Sequence, residues 1–132
     1  MTAIITGDII NSRTVAAKEW LHVLESTLAK FGTKEKEWEI FRGDSFQLEI
    51  NSKDVLKTAL YLKTAIKTVG QLDTRIGIGI GKKDFATDTI KESNGEAFVF
   101  SGEAFEGLKK RKFAIKTRFP KTDQQINLIF DL

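Results

Sequence analysis

Hydrophobic and polar positions along this chain follow two periods that separate predicted strands from predicted helices. An isoleucine-rich apolar run near the N-terminus is typical of a buried strand. Phe46, Leu48 and Ile50 alternate with polar residues, which predicts a half-buried strand that Gly43 joins to the strand before it. The predicted strands are 2–10, 36–42, 44–50, 74–81, about 113–118 and about 125–131, the last two forming a hairpin that turns around Pro120 to Asp123.

Apolar residues spaced three and four apart predict three helices between these strands. The helices run from a cap at Ser12 or Thr14 to about Lys30, from Ser52 to Val69, and from Glu96 to about Lys109. Residues 84–95 are polar and predict a loop. The order β-α-β-β-α-β-α-β-β predicts an α+β sandwich: a mainly antiparallel sheet with helices on one face, whose first six elements follow the ferredoxin-like order.

The strand 74–81 has all its isoleucines on one side and its glycines on the other. Glycine weakens a strand interior, so three in alternation predict close approach by another backbone or by a ligand. A neighbouring subunit and a nucleotide explain the pattern equally well.

Composition narrows the possible functions. The 132 residues, 41% of them hydrophobic, predict one globular domain over 1–132. Cysteine is absent and His22 is the only histidine, which excludes disulfides, thiol nucleophiles and histidine-based metal cages. Neither a signal-peptide pattern nor a long apolar run is present, so we expect a soluble cytoplasmic protein without a membrane partner. The basic run 109–112 is expected to form the last turn of a helix.

Two acidic motifs stand where predicted strands break off. Asp8 follows the first strand, and Asp44 follows Gly43 in the hairpin. A carboxylate at the end of a buried strand loses water and needs a partner. Two on neighbouring strands suit Mg²⁺, or Mn²⁺ in its place, which would also bind phosphate oxygens. The predicted metal ligands are Asp8, Asp44 and the carbonyl of Ile9.

Residues beside the acidic pair are candidates for holding the phosphate groups. The backbone N–H groups after the first strand would face an anion at a helix start. The candidates are Ile10, Asn11, Ser12, Arg13, Arg42 and Gly43. In the alternative interpretation the aspartates only shape turns. Arg42 and Arg75 could contact a base or phosphate, or pair with Glu39 or Asp73.

Four short segments resemble, in the same order, the palm domain of class III nucleotidyl cyclases and GGDEF diguanylate cyclases. They are Asp8-Ile9-Ile10, Gly43-Asp44-Ser45-Phe46, Arg75-Ile76-Gly77-Ile78-Gly79-Ile80-Gly81 and Gly95-Glu96-Ala97-Phe98. The opening Ile5-Thr6-Gly7-Asp8-Ile9-Ile10-Asn11-Ser12-Arg13 is closer still to the bacterial SatD-like family within this group. The resemblance spans roughly residues 4 to 108 and implies a palm fold, a metal-bound nucleotide and a homodimer of facing palms. The glycine side of 77–81 would be a candidate dimer contact.

The chain departs from the cyclase pattern at two places. Where cyclases carry an Asn and an Arg that stabilise the transferring phosphoryl group, it carries Val99 and Glu103. We therefore expect an Mg²⁺-dependent nucleotide- or phosphate-binding palm domain with a sensing or regulatory role, its cyclase-specific catalytic groups lost. One alternative is an active nucleotidyl transferase or cyclase of altered specificity, with cations from Arg13, Arg42 or Lys82. The other is an interaction module that binds no ligand.

Overall fold

The computed structural model describes residues 1–83, 89 and 90, and 94–132, and these form an α+β fold with a five-stranded mixed sheet. The strands are β1 (Thr2–Ile10), β2 (Trp38–Phe41), β3 (Ser45–Asn51), β4 (Asp73–Gly81) and β5 (Phe113–Lys116). The helices are α1 (Ala17–Leu28), α2 (Val55–Lys67), α3 (Glu96–Glu106) and α4 (Pro120–Phe130). The α+β prediction is confirmed at this level.

The strands lie in the order β2-β3-β1-β4-β5. β1 is antiparallel to both β3 and β4, β2 is antiparallel to β3, and β5 is parallel to β4. The arrangement of β1 to β4 is compatible with a ferredoxin-like fold. β5 extends the sheet through a crossover by α3, since parallel neighbours cannot be joined by a tight turn.

The main hydrophobic core lies between one face of the sheet and helices α1 and α2. Ile5 of β1, Leu48 of β3 and Ile78 of β4 point into it and are fully buried. Leu24 of α1 and Leu62 of α2 cover them from above, also fully buried. The helical three-and-four spacing that predicted these two helices is thus the spacing of their buried stripes.

Helix α3 lies on the opposite face of the sheet, so the prediction of helices on one face is wrong. A Cβ built at Gly79 would stand 2.2 Å from the carbonyl oxygen of Ala97, and one at Gly77 would stand 2.4 Å from the backbone nitrogen of Phe105. The glycines of β4 therefore admit the backbone of α3, as the expected close approach required. The same contact rules out this glycine face as a free dimer surface, because the chain's own helix covers it.

The C-terminal hairpin prediction is also wrong, because residues 120–130 form helix α4. Pro120 occupies the first helical turn, where its missing N–H costs nothing. The Asp123 side chain accepts hydrogen bonds from the Thr117 N–H and hydroxyl, both at 2.7 Å. Asn127 then bonds to both backbone groups of Ile115, its Oδ1 accepting at 2.8 Å and its Nδ2 donating at 3.0 Å. Helix α4 thereby lies along the outer edge of β5.

Smaller differences concern where helices begin and end. α1 begins at Ala17 after a short 3-10 turn at Ser12–Thr14, and α3 ends at Glu106. The basic run 109–112 follows α3 as a loop and is not its last turn. Most of the predicted loop 84–95 lies outside the described residues. Within the described part of the chain, no helix has the length and apolar character needed to cross a membrane.

Candidate functional site: an acidic pair beside an arginine

Asp8 and Arg75 face each other across the two central strands. The antiparallel register of β1 and β4 pairs these two residues directly, with both side chains on the face that carries α3. Arg75 Nε donates to Asp8 Oδ1 at 3.0 Å, and an Arg75 terminal nitrogen donates to Asp8 Oδ2 at 2.5 Å. Two parallel bonds of this kind form the strongest arginine–carboxylate geometry. The Arg75 guanidinium also lies 5.4 Å from the ring centre of Phe105 in α3.

Asp44 lies beside Asp8 at the end of the hairpin. Asp8 pairs with Ser45 across β1 and β3, and the Ile9 N–H donates to the Asp44 carbonyl at 3.2 Å. The Asp44 carboxylate accepts a hydrogen bond from the Ser12 hydroxyl at 2.8 Å. The structure therefore brings together Asp8, Ile9, Ser12 and Asp44, four of the residues that the sequence singled out.

The positive charge beside the acidic pair comes from Arg75, which binds Asp8 from the β4 side while Asp44 lies on the β3 side. Its pKa is raised above the ordinary arginine value, first by the hydrogen bonds to Asp8, against the opposing effect of burial, and then by the charges of Asp8 and Asp44. Two close carboxylates repel unless a cation neutralises them. Here the guanidinium supplies that charge, and neither Glu39 nor Asp73, the partners weighed from the sequence, binds Arg75.

The predicted phosphate-binding residues form a turn that precedes α1 without capping it. Asn11 adopts a left-handed conformation with φ of 65°, and its carbonyl accepts the Thr14 N–H at 2.9 Å. The N-terminus of α1 begins beyond Val15, so the N–H groups of Ile10 to Arg13 do not stand at a helix start. The expectation of a helix dipole at these residues is therefore wrong, because Ser12 binds Asp44 and the chain becomes extended again at Val15.

Arg42 and Gly43 form the exposed tip of the β2–β3 hairpin. Both have positive φ, 48° and 85°, and a Cβ built at Gly43 meets nothing within 4 Å. Arg42 and Arg13 are both exposed, and neither forms an ion pair among the described residues.

The basic loop 109–112 closes the site from the side of α3, a role that the sequence did not suggest. Its residues line, with Asp8, Ile9, Ile10 and Arg75, a cavity of about 280 Å³. Left-handed φ at Lys109 (54°) turns the chain after α3, and the Lys112 carbonyl accepts the Ile76 N–H at 2.9 Å. This bond fixes the loop next to β4. A cluster of four consecutive basic residues was the available signal, but its position depends on where α3 ends.

The carboxylate oxygens of Asp8 and Asp44 are suitable ligands for a hard cation, but those of Asp8 already bind Arg75. Carboxylate oxygens from Asp8 and Asp44 are ligands that Mg²⁺ accepts in ones or twos together with water and phosphate. Both Asp8 oxygens accept from Arg75, so a metal has to compete with the guanidinium. In the described ranges, no group of three or more acidic or histidine side chains could hold a metal by itself. The pair therefore fits Mg²⁺ only with additional oxygens from water or a ligand.

Lys82 and the two positions that depart from the cyclase pattern, Val99 and Glu103, do not lie next to the acidic pair. Lys82 follows the other end of β4, and at about 3.3 Å per residue it is roughly 20 Å from Arg75. Val99 is exposed on α3, and Glu103 accepts a hydrogen bond from Lys116 at 2.7 Å. These positions supply no positive charge next to Asp8 and Asp44.

No protein-family model matches the chain, and no curated protein does. The resemblance to the SatD-like family therefore depends on its motifs and stays a prediction.

Proposed function

We propose that this chain is a palm-like domain that binds the phosphate groups of a nucleotide or related ligand together with Mg²⁺ at Asp8 and Asp44. The observation that carries the proposal is the convergence of these two carboxylates, from positions far apart in the sequence, beside one guanidinium. An adjoining cavity lined by the basic loop 109–112 supports it, since phosphate adds negative charge that Lys and Arg neutralise. About 280 Å³ is at the low end for ligand sites, so the cavity suits phosphate groups with the rest of the ligand outside.

In this proposal Arg75 has two partners in turn. Without a metal it neutralises Asp8, and with Mg²⁺ on the carboxylates it is free to bind a phosphate oxygen. A sensing or regulatory role is favoured over turnover because Val99 and Glu103 occupy the places of the cyclase catalytic groups. A Glu in place of an Arg opposes the stabilisation of developing negative charge.

The bidentate bond itself favours a second candidate, an interaction module in which Asp8 and Arg75 only fix the ends of β1 and β4. Thermal unfolding with a panel of nucleotides, with and without Mg²⁺, separates the two. Binding to the folded state alone raises the unfolding free energy by about 2.7 kcal/mol at a ligand concentration 100 times Kd. We expect a shift that needs both metal and nucleotide, and that Asp8→Asn and Asp44→Asn each abolish. Equal shifts in both variants and the wild type would remove the two aspartates from the site.

Arg75→Gln provides a sharper test because it removes the competing cation. We expect Mg²⁺ or Mn²⁺ alone to bind more tightly to this variant than to the wild type, while the nucleotide binds less tightly. Arg118→Gln is the matched control, since Arg118 also pairs with a carboxylate, Glu96 at 2.7 Å, at the far end of α3. If neither the wild type nor Arg75→Gln binds Mg²⁺ or Mn²⁺, the chain is better described as an interaction module.

A further inference from the structure

A second basic concavity lies on the other side of the loop 109–112 from the acidic pair. It is an open groove of about 1150 Å³ between α2, this loop and the end of α4. Six of its lining side chains are basic, and we call it the lysine groove: Lys63, Lys67, Lys109, Lys110, Arg111 and Lys112. It is wide enough for a small ligand. Its lining is mainly positively charged, whereas the site at Asp8 and Asp44 combines negative and positive charges.

The centre of the lysine groove has more positive than negative charge. Three ammonium groups surround the Asp73 carboxylate, with Lys63 at 2.7 Å, Lys112 at 3.2 Å and Lys67 at 3.6 Å. One carboxylate cannot neutralise three lysines. Lys109 and Lys110 add further charge and have no carboxylate within 4.0 Å in the described part of the chain, whereas Arg111 pairs with Asp131 at 2.9 Å.

Of the three lysines around Asp73, Lys63 is the most buried. Its pKa is lowered below the ordinary value, first by burial, with the charges of Lys67 and Lys112 acting in the same direction and Asp73 opposing them. Lys63 is held in place, since it donates to the Asp73 carboxylate and, at 2.9 Å, to the Thr74 carbonyl. A bound anion would reduce the repulsion among these lysines by adding negative charge beside Asp73.

We propose that the lysine groove binds a phosphate or polyphosphate group through Lys63, Lys67 and Lys112, without a metal. Asp73 neutralises only one of the three lysine charges around it, so a group with two or more negative charges would balance the remaining positive charge. Lysine ammonium groups act as point charges on phosphate and need no planar fork. The apolar wall from Leu60, Phe113 and Phe130 gives the organic part of a phosphorylated small molecule a surface to contact. This inference does not depend on Asp8 and Asp44.

Calorimetric titration with inorganic triphosphate in EDTA at low salt tests the proposal. We expect binding by the wild type and a roughly tenfold weaker Kd for Lys67→Gln and for Lys112→Gln, the loss of one charged hydrogen bond each. Their side chains are 57% and 55% exposed, so both variants should fold, which circular dichroism checks. Lys57→Gln, an exposed lysine of α2 outside the groove, is the matched control and should bind as the wild type does.

Lys67 separates the two sites because it lines the lysine groove and not the cavity at Asp8. Asp8→Asn should bind triphosphate in EDTA as the wild type does, even if Mg²⁺-dependent binding fails. A parallel titration with a nucleoside triphosphate tells whether the ligand is a free polyphosphate or a nucleotide. Whichever of the two compounds has the lower Kd represents the class of ligand that the groove binds. Unchanged binding in Lys67→Gln and Lys112→Gln, or an equal loss in Lys57→Gln, would overturn the proposal. The proposal would also be overturned if the protein bound single-stranded nucleic acid but did not bind triphosphate.

Discussion

Replacing Gly79 by alanine tests the packing of α3 on the sheet with a single methyl group. A Cβ at this position would lie 2.2 Å from the Ala97 carbonyl oxygen, 2.3 Å from the Ser101 nitrogen and 2.9 Å from the Phe100 carbonyl carbon. All three atoms belong to the backbone of α3, so no side chain can rotate away. The helix must move outward to admit the methyl group.

The required movement sets the magnitude of the effect. Ordinary contact between heavy atoms is about 3.5 Å, so α3 has to move by roughly 1 Å. Overpacking a well-filled interior costs about 1–3 kcal/mol, and a backbone obstacle places Gly79→Ala near the upper end. Gly81→Ala should cost less, because the nearest atoms at 2.7 and 2.8 Å belong to the flexible side chain of Glu96.

Urea unfolding followed by circular dichroism measures the cost. With a slope of about 1–3 kcal/mol per molar urea, Gly79→Ala should lower the midpoint by roughly 1–2 M. Gly102→Ala in α3 is the matched control, because a Cβ there meets nothing within 4 Å. It should stabilise the protein by about 0.5–1 kcal/mol, since alanine favours a helix interior.

The reasoning is refuted if Gly79→Ala unfolds within 0.2 M of the wild type, a limit of roughly 0.5 kcal/mol by the same slope. That result would mean that α3 does not lie against β4 in solution, and that the glycine side of the strand is open to another partner.

Two further predictions concern buried polar groups. Burial raises the pKa of Asp73, but hydrogen bonds from Lys63 and the Thr74 N–H outweigh it and lower the pKa to about 2. A depressed carboxyl pKa stabilises the fold above the unfolded value of 3.8 and loses that contribution as the pH falls towards 2. Wild type should be more stable than Asp73→Asn by about 1–2 kcal/mol above pH 4, allowing for screening. Urea titrations should show this difference shrinking between pH 4 and 2, and a constant difference would contradict the prediction. Asn127→Ala should cost about 1–3 kcal/mol and promote association seen by gel filtration, because it leaves the Ile115 N–H and carbonyl unpaired, whereas Gln124→Ala should do neither.

Most of the fold could be predicted because the hydrophobic period was unambiguous in the long elements. The apolar stripes in the sequence predict β1, β3, β4, α1 and α2, and the structure buries these stripes in the core. The hairpin prediction for the C-terminus is wrong because Ile126, Leu128 and Phe130 alternate as they would in a strand. Ile126 and Phe130 are also spaced four apart, and in α4 these two pack on the core while Leu128 is 61% exposed. Short apolar runs fit either period, and the signal that decided between them was Pro120 at a helix start.

The candidate site was predictable in its members but not in its pairing. Strand ends and the Gly43 turn located Asp8 and Asp44 near each other. That Arg75 binds Asp8 follows from the register of β1 against β4, which the sequence of either strand does not determine. The basic loop 109–112 could not be placed either, because its position depends on the end of α3 and on the parallel addition of β5.

The sheet face under α3 differs in character from the face under α1 and α2. Beside the glycines of β4 it presents Thr2, Thr6 and Gln47 together with the buried Ile4. Ser101 of α3 bonds to the Thr6 hydroxyl at 2.9 Å. β1 to β4 all lie within residues 1–81, whereas α3 is made later. While a ribosome adds the missing part at about 5–20 residues per second, this unfinished surface exposes polar and charged groups, bare peptide groups and the side chain of Ile4 to water. Before its third helix forms, a nascent chain is thus more polar on that side than on the side that α1 and α2 cover.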